Sequence, residues 1–62
     1  MNQMDRDKRA ILTVVSQMEE ASYPDIALRA GEGLMDALLE LIKDGTLSKN
    51  IKNGRSYYRK SM

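Results

Sequence analysis

Five cations, Lys49, Lys52, Arg55, Arg59 and Lys60, fall within the last fourteen residues, and no acid interrupts them. Clustered ammonium and guanidinium groups are chemistry for phosphate, because they neutralise its charge and hydrogen-bond its oxygens. Tyr57, set among them, adds a hydroxyl that can donate to a phosphate and a ring that can stack on a sugar. The competing use of such cations is to keep an edge hairpin from pairing with other chains. The charge distribution favours phosphate. The first 48 residues hold the other five cations and all nine acids, so a net charge of +1 conceals a basic end and an acidic remainder. That asymmetry is the electrostatic footprint of a phosphate-contacting surface.

A second row is acidic: Glu32, Asp36 and Glu40 recur every four residues. On one helix face such a row makes at most a weak, open cation site, and a solvated face is the expectation, with no metal. Cysteine and histidine are both absent. That excludes disulfides, thiolate chemistry, zinc fingers, Ser-His triads and imidazole switches. Ser48, Ser56 and Ser61 therefore have no histidine to activate them. The chain is read as a non-enzyme with no catalytic residue, no cofactor and no small-molecule substrate.

These residues need a scaffold, and 62 residues allow one domain, 1–62, with a single compact core. The apolar fraction of 42% suits a globular domain. No apolar run approaches the ~20 residues of a membrane span, so no membrane is expected. Residues 1–9 are polar and lack an apolar signal core, which sets a reducing, cytoplasmic expectation.

Ala10, Ile11, Val14, Val15, Met18 and Ala21 recur at spacings of three and four and predict a helix over 5–21, capped by Asp5 and with Asp7 in its first turn. Ser22-Tyr23-Pro24 ends it, and Pro24 suits the first position of a second helix over 24–30, with Ile26, Ala27 and Ala30 inward. Gly31-Glu32-Gly33 breaks the chain before a third helix over 34–44, whose stripe is Leu34, Leu38, Leu41 and Ile42 and whose stop is Gly45. Residues 46–60 alternate around Asn53-Gly54, a strong hairpin signal. Pairing across that turn sets Lys52 opposite Arg55, Ile51 opposite Ser56, Asn50 opposite Tyr57 and Lys49 opposite Tyr58. Leu47, Ile51 and Tyr58 then form a packing face, and Asn50, Lys52, Arg55, Tyr57 and Arg59 a basic one.

Taken together these residues resemble a winged helix-turn-helix domain. The resemblance rests on Ile26-Ala27-Leu28-Arg29-Ala30-Gly31 for the second helix and turn, and on Leu34 through Gly45-Thr46-Leu47 running into the wing. Asn53-Gly54-Arg55-Ser56-Tyr57-Tyr58 matches the wing tip and return strand, and Ser22-Tyr23 falls where the family has a short strand. The implied fold is α+β, mainly α: three helices followed by a two-stranded β-hairpin wing. The family spacing asks for apolar residues six and nine positions after Gly31, which are Ala37 and Glu40. A turn one residue longer brings Leu38 and Leu41 into those places instead.

The resemblance implies a small protein that binds duplex DNA, acting as a transcription regulator or a nucleic-acid-binding accessory. The third helix departs from a base-reading pattern, since Glu32, Asp36, Glu40 and Lys43 share its outer face and none of them reads bases well. The wing is thus expected to carry the affinity, through Lys52, Arg55, Tyr57 and Arg59 with Lys49 and Lys60 assisting. The alternative is a protein-interaction or homodimerisation module using Glu32, Met35, Asp36, Leu39 and Glu40, in which Met35 and Leu39 flank the acidic row.

Overall fold

The computed structural model describes residues 2–61, a small α+β domain of three helices and a three-stranded antiparallel sheet. In chain order the elements are α1 (Gln3–Met18), β1 (Ala21–Ser22), α2 (Tyr23–Ala30), α3 (Met35–Lys43), β2 (Leu47–Lys52) and β3 (Arg55–Lys60). The sheet order is β1-β3-β2, so the expected two-stranded hairpin is corrected to a sheet with β3 at its centre.

Helix α1 begins two residues earlier than expected, because Asn2 rather than Asp5 is its cap. The Asn2 side chain accepts from the Asp5 amide at 2.8 Å, and Asp5 lies in the first turn, where its charge complements the helix dipole. Ile11, Val14 and Val15 are its buried stripe. The helix ends at Met18, three residues short of the expected limit. Glu19 takes φ 66°, and the chain leaves the helix axis there. Ala21 keeps its predicted burial, but in a strand: it pairs with Tyr58, and Ser22 pairs with Tyr57. The three-residue spacing from Met18 to Ala21 looks helical along the chain. Pairing with distant β3 wins over one further helical turn.

Ser22 has a second duty as the cap of α2. Its Oγ accepts from the Asp25 amide at 3.3 Å, while Asp25 Oδ2 accepts from the Ser22 amide at 3.1 Å and from its Oγ at 2.9 Å. This reciprocal capping box shifts the helix start to Tyr23, with Pro24 in the first turn, where its missing N–H leaves nothing unpaired. The helix closes on Gly31, whose φ of 107° lies outside the range of ordinary side-chain-bearing residues.

Helix α3 starts at Met35, with Leu34 as its cap residue. Leu38 and Leu41 are buried and Glu40 is exposed; small Ala37 is buried beside them. Past its end, Asp44 Oδ1 accepts from the Thr46 amide at 2.9 Å and the Thr46 hydroxyl at 2.6 Å, turning the chain into β2.

The β2–β3 register is the expected one, from Lys52↔Arg55 at the tip to Leu47↔Lys60 at the base. Asn53 and Gly54 take φ of 52° and 75°, the two left-handed angles a type I′ turn needs. One expectation for this hairpin fails. Ile51 shares a face with Leu47 and Tyr58 but is 64% exposed, because it lies near the tip of the edge strand β2, where only Leu47 at the base is buried. Burying Leu47 alone is worth roughly 1.5–3 kcal/mol. A surface ion pair on the hairpin is worth about 1 kcal/mol at most, so packing at the base holds the hairpin in place.

Glu19 is the one residue on which the α1-to-β1 bend turns, and a left-handed angle costs a side-chain-bearing residue about 1–2 kcal/mol. Glu19→Gly should therefore hold or raise stability by up to about 1 kcal/mol, after glycine's extra chain entropy is subtracted. Glu19→Val, which tolerates that angle least, should lower it. Urea midpoints of the two variants against the parent check the order; a Val variant as stable as the Gly variant would remove the strain.

Candidate functional site

The six cationic and aromatic residues of the predicted surface all lie on β2 and β3, but the pleat divides them. Lys52, Arg55, Tyr57 and Arg59 share the outer face with Ser48 and Asn50. Lys49 and Lys60 lie on the opposite face, in line with Leu47 and Tyr58. All five cations are exposed and Tyr57 is half-buried. The outer face is thus the denser of the two: two guanidiniums, an ammonium and a phenol on one pleated surface.

This face is not free of acid. Lys52 Nζ donates to Glu20 Oε1 at 2.8 Å, and the same ammonium lies 5.7 Å from the centre of the Tyr57 ring. The lysine reaches diagonally over Tyr57 to Glu20, which precedes β1 by one residue and so lies on the side of Ser22 and Tyr57. The sequence reading missed Glu20 because it placed that residue inside α1. A strand at Ala21-Ser22 is the signal that would have located it, since alternation then turns Glu20 outward. Both contacts are exposed and individually weak, the ion pair about 0–1 kcal/mol.

A second acid borders the face. The Asp25 carboxyl is held below the usual carboxylate range, first by the hydrogen bonds from the Ser22 hydroxyl and amide. Smaller attractions come from the guanidiniums of Arg29 and Arg55. Arg55 therefore stands where it faces an anion already in the free chain, at the junction of the hairpin tip and the start of α2. Asp44 is lowered in the same way by the Thr46 hydroxyl and amide.

On α3, Met35, Asp36, Leu39 and Glu40 are all exposed, as is Glu32, which lies in the turn and not on the helix. The acidic row is consequently two residues of helix and one of loop. Among the described residues no group of three or more acids is placed to hold a metal ion. Met35 and Leu39 are 42% and 55% exposed, so they are not tucked against α1 or the hairpin.

The Asp25 and Asp44 contacts have a pH signature. Each carboxyl is depressed in the folded state, so its contribution is complete above the unfolded value near 3.9 and is lost as pH falls through the lower folded value. Stability should therefore fall on acidification below about pH 4. In Asp25→Asn the acid limb should be shallower and the neutral-pH stability lower. Urea midpoints from pH 7 to pH 2 test this, and parallel curves for parent and variant would refute it.

Comparison with protein-family models, with curated proteins and with solved structures found no match to this chain.

Proposed function

We propose that the chain is a winged helix-turn-helix domain that binds duplex DNA through the outer face of its hairpin, as a cytoplasmic transcription regulator or nucleic-acid-binding accessory. The fold reading is supported by the element order, with a two-residue strand before α2 and the hairpin directly after α3. The observation that carries the function is the outer face itself. Arg55, Tyr57, Arg59 and Lys52 project together from two strands that contain no acid, and the three cations are exposed where a duplex can reach them. The arginines act as planar donors to phosphate oxygens and Lys52 as a point charge, while Tyr57 offers its hydroxyl. Lys49 and Lys60, on the other face, contribute field and not contact. Base reading by α3 is no part of this mechanism: Asp36 and Glu40 would meet a phosphate groove with like charge.

A specific observation also favours protein binding through α3. Met35 and Leu39 are exposed side by side next to those acids, a site suited to a partner chain.

Fluorescence-anisotropy titration of random-sequence duplex DNA tests the first reading. Affinity should fall steeply between low and near-physiological salt. Arg55→Glu with Arg59→Glu should cost at least about tenfold, two phosphate contacts being turned to repulsion, and Asp36→Ala should leave binding nearly unchanged. Absence of binding at low salt would overturn the reading, and a preference for duplex RNA in competition would redirect it.

The Glu20 contact yields a separate expectation. A phosphate has to displace Glu20 from Lys52, so Glu20→Gln should tighten binding several-fold and steepen the salt dependence by up to about 0.9 in log–log slope, one more phosphate contact. An unchanged slope would show that Lys52 does not reach the backbone.

A further inference from the structure

Between α3 and the hairpin runs an open groove of about 460 Å³. Its apolar lining includes Tyr23, Met35, Leu39 and Ile42, and Lys49 and Arg55 stand on the hairpin side. The helical step of about 100° per residue sets Met35, Leu39 and Ile42 in one strip along α3, and no other part of the described chain covers the outer two. Ile51, exposed on the sheet face that carries Lys49, extends the apolar surface across the groove. Exposed aliphatic residues grouped in this way mark a surface awaiting a partner.

The charges on either side of the strip differ in sign. Lys49 and Arg55 border it on the hairpin side. On the opposite shoulder of α3 the same helical step places Asp36 and Glu40, with Lys43 only at the C-terminal end. The surface thus reads cation wall, apolar strip, acidic shoulder. An acidic partner would match the wall and leave Asp36 and Glu40 opposed by like charge. A basic partner would leave Lys49 and Arg55 so opposed. A partner carrying both signs on either side of an apolar strip satisfies both, and this chain is such a partner. A two-fold axis lying along the strip lays Met35 and Leu39 against their own copies and brings each cation wall onto the other copy's acids, twice.

We propose that the α3–hairpin groove is the interface of a symmetric homodimer of this chain. The proposal rests on α3 being a protein-binding face and names its occupant. It is independent of phosphate contact by the outer face of the hairpin, apart from Arg55, which borders both surfaces. Few apolar side chains are exposed there, Met35, Leu39 and Ile51, so association is weak and concentration-dependent.

Sedimentation velocity of the full chain, from micromolar to about 1 mM, provides the test. The parent should dimerise, and Leu39→Asp should be monomeric with an unchanged circular dichroism spectrum. Lys49→Glu alone, and Asp36→Lys with Glu40→Lys alone, should each weaken self-association at least tenfold, because each puts like charges together on both sides of the axis. An equimolar mixture of those two variants should associate again as a heterodimer, since the swap restores opposite signs on both sides. A mixture that stays monomeric overturns the proposal, as does a parent monomeric at about 1 mM or a dimer that survives Leu39→Asp. If the parent is monomeric, labelled amphipathic peptides of Leu with Glu and of Leu with Lys distinguish what failed. Binding of either that Leu39→Asp abolishes keeps α3 as a protein-binding face with a different occupant. Binding of neither removes that reading as well.

Discussion

The hairpin is tied to the helices by three buried side chains, Ala21, Leu47 and Tyr58, and by the two-residue pairing of β1 with β3. The rest of the molecule is arranged around that tie. Helix α1 stops at Met18 so that Ala21 can reach Tyr58. Ser22, fixed opposite Tyr57, becomes the cap that sets where α2 begins. Because α2 starts there, its first turn lies beside the hairpin tip and Asp25 comes within the influence of Arg55. A short strand of no great strength by itself thus sets the register of two helices and the surroundings of the basic face.

Two surfaces of opposite character follow from the same pleat. On the outer face of β2 and β3 the cations Lys52, Arg55 and Arg59 are exposed, Lys52 in contact with Glu20, so their charges remain available to solvent and to ligands. Residues on the inner face divide between core and surface, with Leu47 and Tyr58 buried and Lys49 and Ile51, on the edge strand β2, exposed. The inner face is therefore part core and part groove wall. Phosphate contact on one side and chain association on the other, as proposed, use different faces of one hairpin. They meet at Arg55, whose position at the tip borders both.

Much of the scaffold is legible in the sequence, and the limits have physical causes. The hairpin register is readable because Asn53-Gly54 admits one turn geometry and alternation does the rest. Ile26 of α2 and Leu34, Leu38 and Leu41 at α3 are readable from the helical spacing of apolar residues, whereas Ala27, Ala30 and Ile42 of the same stripes are only partly buried. The end of α1 is not readable, since Glu19 bears no local sign of a left-handed angle and Ala21 fits the helical pattern equally well. The short strand expected at Ser22-Tyr23 falls one residue earlier, at Ala21–Ser22, and the misplaced helix end hid its acid: an outer face expected to be wholly basic has Lys52 held by Glu20. Ile51 was misjudged for a different reason. Alternation gives the face a residue is on, but not how far the neighbouring layer extends. The candidate residues Arg55, Tyr57 and Arg59 were placed together by register alone, whereas the groove needs α3 and the hairpin to be positioned against each other.

The tie between β1 and β3 also bears on the order of events in folding. Ala21 and Tyr58 are separated by 37 positions, whereas the helices and the hairpin close through contacts of short range. Bringing such distant residues together costs on the order of 3 kcal/mol of loop entropy before any contact offsets it. The helical turns and the β2–β3 hairpin can therefore form before that loop is closed, whereas the β1–β3 pairing cannot precede its closure. On a ribosome the core has no means of completion until Tyr58 has been added. Until then α1, α2 and α3 can cover only one another, and the places in the core that Leu47 and Tyr58 fill stay open.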